Sequence, residues 1–235
     1  MIVPNNKFPD IKEYEITGTD EKLVSLNKMG LLCDSQYYSQ GIPGALKDCY
    51  ARETVAHKLI TAQESLPKGL RFKIYDAYRP IEVQQRLWNY YREIVKRKEP
   101  DLPDEEIDKK TAFFVSKPSY DENHPSLHNT GGAVDLTIVT IDGYALNMGT
   151  VFDDFTDRAW TNHFEDGYEK AEHNVEVRNN RRLLYEVMIN AGFTNLPSEW
   201  WHYDYGTKFW AYFTGKHAIY KGILGHNLPD RFPLT

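Results

Sequence analysis

Residues 126–146 read SLHNTGGAVDLTIVTIDGYAL. From Gly132 to Ile141 the stretch is apolar and rich in β-branched residues, the composition of a strand. Asp142-Gly143 then supplies a pair that adopts positive φ at little cost, so a hairpin turn into Tyr144-Ala145-Leu146 is expected. His128 and Asp135 lie seven positions apart, and in a straight strand an odd offset sends two side chains to opposite faces. Gly131-Gly132 between them permits a turn or bulge, so both side chains can aim at one point. His128 is therefore expected at the mouth of a loop and Asp135 on the strand that follows. Both residue types are good zinc ligands, through imidazole nitrogen and carboxylate oxygen.

This pair lacks a third ligand and a general base. Glu199-Trp200-Trp201-His202-Tyr203 contains candidates for both, in His202 and Glu199. Three residues apart, these two face the same way only across a helical turn or a kinked strand. Three protein ligands leave the fourth zinc position open for water, which separates a catalytic site from a closed structural one. Trp200 and Trp201 are candidates for a wall that excludes bulk water, with one of them taken up by the core. A third element is Asp76-Ala77-Tyr78-Arg79-Pro80, where a strand hands over to a helix. There Arg79 is placed to stabilise an oxyanion by its fixed charge, or else to pair with a structural acid such as Glu82.

Around these strings, apolar periodicity and punctuation define helices. Glu53–Glu64 carries Val55, Leu59 and Ile60 on one side and stops before Pro67-Lys68-Gly69. Pro80–Lys98 opens with Pro in its first turn and lines up Val83, Leu87, Tyr91, Ile94 and Val95. Asn180–Ala191 turns Leu183, Leu184, Val187 and Met188 inward and ends at Gly192. A shorter helix is expected after Pro103, where three acids suit a helix N-terminus. Arg71–Tyr78 alternates as a strand with Phe72 and Ile74 on one face. The order of elements predicts an α+β fold with a small, largely antiparallel sheet carrying the site. The chain has 235 residues, a length that suits one domain over 1–235 with room to bury a reactive centre.

Composition removes several classes of function. Net charge is −6 and the basic residues are scattered, so no basic face for nucleic acid is expected. No apolar run approaches a membrane-spanning length. The N-terminus lacks the basic-then-apolar pattern of an export signal, which points to the cytoplasm; a leader already removed would instead place the protein in the periplasm or outside the cell. Cys33 and Cys49 are too few for a disulfide framework or a thiolate metal site, and are read as thiols in the cytoplasm, or as one bridge if the protein is exported. His57, His163, His173, His217 and His226 are read as surface or core residues, and His124 as a loop neighbour of the metal motif.

Taken together, the strings resemble the D-alanyl-D-alanine dipeptidases of the VanX type, a branch of the zinc D,D-peptidases related to D-Ala-D-Ala carboxypeptidases and the hedgehog domain. The pattern Ser-x-His-x-x-Gly-x-Ala-x-Asp is met by Ser126, His128, Gly131, Ala133 and Asp135. Glu-Trp-Trp-His is met by Glu199–His202, and Asp-x-Tyr-Arg-Pro by Asp76, Tyr78, Arg79 and Pro80. Met148-Gly149 with Phe152-Asp153, and Asn180-Arg181-Arg182-Leu183 running to Gly192-Phe193, look similar as well. The resemblance implies one zinc ion on His128, Asp135 and His202, Glu199 as general base and acid, and Arg79 beside the tetrahedral intermediate. It further implies Asp153 for the substrate's amino group and Ser126 lining the same site. The implied substrate is D-alanyl-D-alanine or a similar D-dipeptide. A carboxypeptidase or endopeptidase acting on longer cell-wall stems, and a non-catalytic zinc-stabilised binding domain, are the competing functions. Residues 1–50 show little of the pattern, and the stretch after Tyr203 is longer than usual for the family.

Overall fold

The computed structural model describes residues 11, 14–19, 21–112, 114–165 and 172–224. His226 and the N-terminal Met1–Lys7 stretch fall outside them.

The chain order is β1 (Leu23–Ser25), β2 (Leu32–Cys33), α1 (Gln36–Ser39), β3 (Tyr50–Arg52), α2 (Glu53–Glu64), β4 (Leu70–Asp76), α3 (Ile81–Lys98) and α4 (Asp104–Thr111). After a long connection come β5 (Ala133–Thr140), α5 (Glu172–Asn190), β6 (Thr194–Asn195), β7 (His202–Asp204) and α6 (Lys208–Thr214). A five-stranded sheet runs β2-β4-β5-β7-β6, and β1 pairs with β3 in a separate two-stranded ribbon. Only the β2–β4 pairing in the larger sheet is parallel, so the sheet is largely antiparallel and the fold is α+β.

β5 is the spine of the sheet. All but the last of its eight residues are buried, because β4 and β7 flank it and helices cover it. That double burial explains a continuous apolar run in place of alternation. The hairpin turn forms at Asp142-Gly143, where Gly143 has φ 93° and Val139 bridges Ala145. α2 forms over the residues that its apolar stripe marks, burying Val55, Ala56, Leu59 and Ala62. α3 begins one residue later than expected: Pro80 has φ −55° and ψ 145°, extended geometry, and serves as the N-cap instead of lying in the first turn. α5 starts eight residues before Asn180, because Glu172–Asn180 is polar enough to hide its register yet still helical.

The main core joins Phe72, Ile74, Val134, Leu136 and Ile138 of the sheet to Val55, Leu59, Leu184 and Met188 of α2 and α5. Both Trp200 and Trp201 belong to it, at 2% and 1% exposure. Neither therefore walls the site. Trp201 reaches it only indirectly, edge-on to Phe152, the residue before Asp153. A second cluster joins Tyr37 of α1 to Val83, Leu87 and Trp88 of α3, so residues before position 50 are structurally tied to the helix that follows Arg79.

Candidate active site

Three strands bring three chemically active residues abreast. In the register of the sheet, Asp76 on β4 faces Asp135 on β5, and Asp135 faces His202 on β7. Directly opposed residues hold their Cβ atoms about 5 Å apart, so this register alone brings the three side chains together. β4 has an irregularity between Ile74 and Asp76, which returns Asp76 to the shared face.

His128 comes from outside the sheet. It opens a single 3-10 turn, His128–Thr130, that closes on Gly131 at φ 72°. The backbone angle favours glycine, and a Cβ at Gly131 would lie 2.6 Å from a terminal methyl of Leu23, which would have to shift. The expected reversal between His128 and Asp135 thus takes the form of a left-handed cap, and it points the imidazole back over β5.

One ligand atom from each of His128, Asp135 and His202 lies within 4.8 Å of the others, and all three residues are buried. His128 Nε2 is 3.2 Å from His202 Nδ1 and 3.3 Å from Asp135 Oδ2, while His202 Nδ1 is 3.0 Å from Asp135 Oδ1. The far nitrogen of each ring is also engaged. His128 Nδ1 lies 2.8 Å from the Ala77 carbonyl, which only accepts, so Nδ1 carries the proton. His202 Nε2 lies 2.9 Å from Asp204 Oδ2, so Nε2 carries the proton there. Two ring lone pairs and one carboxylate are then left converging on one point. This donor set, with each imidazole oriented by an outer acceptor, fits a divalent metal such as zinc.

The electrostatics agree with a site prepared for a cation. Burial alone would lift Asp135, yet His128 and His202 outweigh it and hold its carboxyl well below the ordinary range. Burial opposes a charge on His202, but Asp204 and Asp135 overcome it and raise this imidazole well above its usual value. Without metal, His202 therefore keeps a proton that a bound ion must displace.

Glu199 sits in the turn before β7, with its backbone N–H on the Leu196 carbonyl and its own carbonyl receiving the His202 N–H. That turn makes the three-residue offset work: Glu199 Oε2 is 3.8 Å from His202 Nδ1. A quarter of its side chain still meets solvent. Burial raises its pKa above that of an ordinary glutamate, against the pull of His202. A carboxylate of raised basicity beside a metal site is suited to carrying a proton.

Arg79 is buried, and each nitrogen of its fork has a neighbour to meet. Nε and Nη2 reach Asp76 at 2.8 and 2.7 Å, Nη1 donates to Gln84 Oε1 at 2.9 Å, and Nη2 also donates to Tyr37 Oη at 3.3 Å. Nη2 is 3.7 Å from Asp135 Oδ2. Its structural acid is thus Asp76, not Glu82, and the same pairing places the guanidinium beside the metal cluster. Burial disfavours the charge, but Tyr37, Asp76 and Asp135 restore it and more.

Asp153 has φ 58°, a left-handed angle on a residue with a side chain, and looks into the same cavity. Tyr37 Oη donates to its Oδ2 at 3.0 Å. Burial and then the charge of Asp135 push its pKa up to about 8, despite Arg79. Asp153 is thus a held group of the site, not a solvated loop acid. Arg181 on α5 secures the loop that carries it. Its guanidinium donates to the carbonyls of Met148, Trp160 and Arg158 at 2.7, 2.7 and 2.8 Å. This clamp gives a physical reason for the two outlying strings, around Met148 and around Arg181, to occur together. Ser126 is buried, its Oγ lacks a hydrogen-bond partner among the described residues, and it lines the cavity next to Glu199.

The cavity over the cluster measures about 60 Å³. Its aromatic wall is Tyr91, Phe114 and Phe155, in place of the two tryptophans. His124 stands outside, bonded to Asp121 at 2.7 Å. Sequence reasoning did not find Tyr37, Gln84 or Asp204. Asp204 had a signal, since it lies two residues after His202 on one strand and so shares its face. Tyr37 and Gln84 had none.

Against known proteins, the chain matches the D-ala-D-ala dipeptidase family of peptidases over residues 37–220. It belongs to that family. D-alanyl-D-alanine dipeptidases of Synechocystis, Escherichia coli and Enterococcus faecium are each 32% identical to it, over 163, 138 and 155 residues. These matches take in 64%, 58% and 63% of this chain and 66%, 55% and 69% of the relatives. For the first two, the chain spans less than two thirds of the relative's length. Two solved structures are similar at 17% identity: a mutant of the vancomycin resistance D,D-pentapeptidase VanY with Zn(II), and VanYB with D-Alanine-D-Alanine. Their TM-scores are 0.44 and 0.45, with 73% and 92% of this chain covered and 83% and 93% of the neighbours.

Proposed function

We propose that this chain is a zinc-dependent D,D-dipeptidase that hydrolyses D-alanyl-D-alanine or a closely similar free D-dipeptide. The observation that carries this reading is a small cavity lined by Asp153 and Glu199 together with the buried cluster of His128, Asp135 and His202. The whole chain is taken as one peptidase domain. We place it in a reducing compartment, the cytoplasm, where the thiols Cys33 and Cys49 stay unbridged. No helix among the described residues is long and apolar enough to cross a membrane.

His128, Asp135 and His202 would hold the ion. When bound, zinc supplies a Lewis acid that polarises a carbonyl and brings the acidity of water towards neutrality. Glu199 takes the proton of the attacking water and returns it to the departing amine. Arg79, kept rigid by Asp76, Gln84 and Tyr37, adds a fixed positive charge beside the oxygen on which negative charge develops. Asp153 pairs with the substrate's free ammonium, and Tyr37 keeps the carboxylate aimed at it. Ser126 offers its hydroxyl to the substrate from beside Glu199.

The choice of a dipeptide over longer stems follows from Asp153. A stem peptide carries an amide where the dipeptide has an ammonium, so it would cover Asp153 without the cation that matches its charge, which is costly. Glu199 and Arg79 both face the cluster, which a purely structural metal would not need. One assay separates the readings: purified protein with D-alanyl-D-alanine, its N-acetyl form and a pentapeptide stem, with and without chelator. Cleavage of the free dipeptide alone, abolished by chelator, is the expected result. Cleavage of the stem in preference to the dipeptide overturns the dipeptide reading, and no cleavage of any substrate by the zinc-loaded protein overturns the enzymatic one.

A further inference from the structure

After α6 the chain returns to the loop that carries His128. Ala218 bridges Ile16, and the N–H and hydroxyl of Thr17 donate to its carbonyl at 2.9 and 3.0 Å. The N–H groups of Ile219 and Tyr220 both donate to the Gly206 carbonyl, at 2.7 and 3.0 Å. Gly222 then donates to the Glu122 carbonyl at 2.8 Å, and Ile223 to the Asn129 carbonyl at 3.1 Å. Ala218, Tyr220 and Ile223 are buried. The fit against the loop is close: a Cβ at Gly222 would lie 2.9 Å from the Pro125 Cβ and 3.0 Å from Asn129 Oδ1.

Asn129 is the point where this segment meets the site. The residue is 1% exposed, and its Nδ2 donates to the Ile223 carbonyl at 3.1 Å and to the Arg79 carbonyl at 3.4 Å. Both partners only accept, which fixes the end of the amide that faces them. The Arg79 N–H donates in turn to the His128 carbonyl at 3.2 Å. The Arg79 backbone is therefore held on one side by His128 and on the other by Asn129. Neither Asn129 nor Ile223 lines the cavity over the metal cluster, so neither meets the substrate.

In the proposed function, the ion on His128 and the guanidinium of Arg79 act on one oxygen. Their spacing matters, because a misplacement of about 1 Å can cost about 10²-fold in rate. Asp76, Gln84 and Tyr37 fix the guanidinium, but they do not fix the Arg79 backbone relative to His128. We infer that Asn129 is a positioning residue: through its side-chain amide, the segment 218–223 sets the spacing between the metal ligand His128 and Arg79. The kinetic consequence rests on the dipeptidase reading, whereas the mechanical one does not. The His128 ring itself remains on the Ala77 carbonyl, so zinc binding does not depend on this link.

Asn129→Leu keeps the approximate shape and removes both donors. In the metal-free full chain, deuterium exchange at the Arg79 amide should become about tenfold faster or more in this variant. Gly222→Ala, which pushes the segment off Asn129, should speed the same amide, and Thr17→Val, which loosens only the far end at Ala218, should not. An Arg79 amide that exchanges at the wild-type rate in Asn129→Leu overturns the inference, as does equal acceleration by Thr17→Val. With zinc loaded and well below the melting temperature, Asn129→Leu should lower kcat for D-alanyl-D-alanine about tenfold or more, with KM within about twofold and one zinc per chain retained. In an Arg79→Lys background the same substitution should cost less, and losses that simply multiply overturn the coupling to Arg79. If the wild type cuts no peptide, the dipeptidase reading fails, and the exchange comparison decides the positioning role alone.

Discussion

Asp204 offers a quantitative test of how the second imidazole is aimed. Its Oδ2 receives the His202 Nε2 proton at 2.9 Å, and the residue is fully buried. A hydrogen bond to a charged group contributes about 1.5–3 kcal/mol and a neutral one about 0.5–1.5. Asp204→Asn keeps an oxygen acceptor of the same shape but loses the charge, so about 1–1.5 kcal/mol of support for the ring is lost. That corresponds to roughly tenfold weaker zinc binding, and Asp204→Ala, which removes the acceptor altogether, should approach the hundredfold end of the range for such outer partners. The deficit should also depend on pH. Asp204 favours the protonated ring in the metal-free protein, and that proton competes with the ion. The penalty in Asp204→Asn is therefore largest at alkaline pH, where no proton has to leave, and shrinks as pH falls. Titration against a chromophoric zinc chelator at several pH values measures both effects, with thermal melting as the check on folding. A folded Asp204→Asn protein whose zinc affinity matches the wild type at every pH would refute this reasoning.

Other consequences follow from the same geometry. Glu199→Gln should lose about 10²–10⁴-fold in kcat while retaining zinc, and a variant that keeps wild-type turnover would exclude Glu199 as the proton carrier. Arg181→Met removes three hydrogen bonds at about 1 kcal/mol each, so a stability loss of about 3 kcal/mol, or roughly 6–12 °C in Tm, is expected by calorimetry; a shift under 2 °C (about 0.5–1 kcal/mol) would show that the clamp is dispensable. Asp153→Asn should raise KM strongly for a free dipeptide. Because Asp153 sits at about 8 when folded, against about 4 in an unfolded chain, the metal-free fold holds a proton that the unfolded chain lacks between those values. Its contribution to stability is lost as pH rises through that window, so Asp153→Asn should stabilise the metal-free protein more at pH 8 than at pH 4, and an equal effect at both would contradict it.

The parts of this molecule that could be read in advance are those written in one continuous stretch. α2 occupies the residues its apolar stripe marks, because that stripe and Pro67 both act locally. The turn between His128 and Asp135 was legible in Gly131-Gly132 for the same reason, although a left-handed cap was not distinguishable from a bulge. β2 and β6, two residues each, are too short for any period to show. The strings around Asp76, His128 and Glu199 named the candidate site, but not what steadies it. Tyr37 stands 42 residues from Arg79 and 116 from Asp153, and only the packing of α1 against α3 brings its hydroxyl between them. The tryptophans misled because a large aromatic next to a ligand suits a core as well as a wall, and the turn that leads into β7 sends both into the core.

The central claim is that two imidazoles and one carboxylate gather round a single ion, and X-ray absorption at the zinc edge of the loaded protein addresses it directly. The account expects one zinc per chain with nitrogen and oxygen neighbours at about 2.0–2.2 Å, and loss of the ion in His202→Ala. A sulfur neighbour at about 2.3 Å, which would implicate Cys33 or Cys49, or full zinc occupancy in His202→Ala, would contradict it.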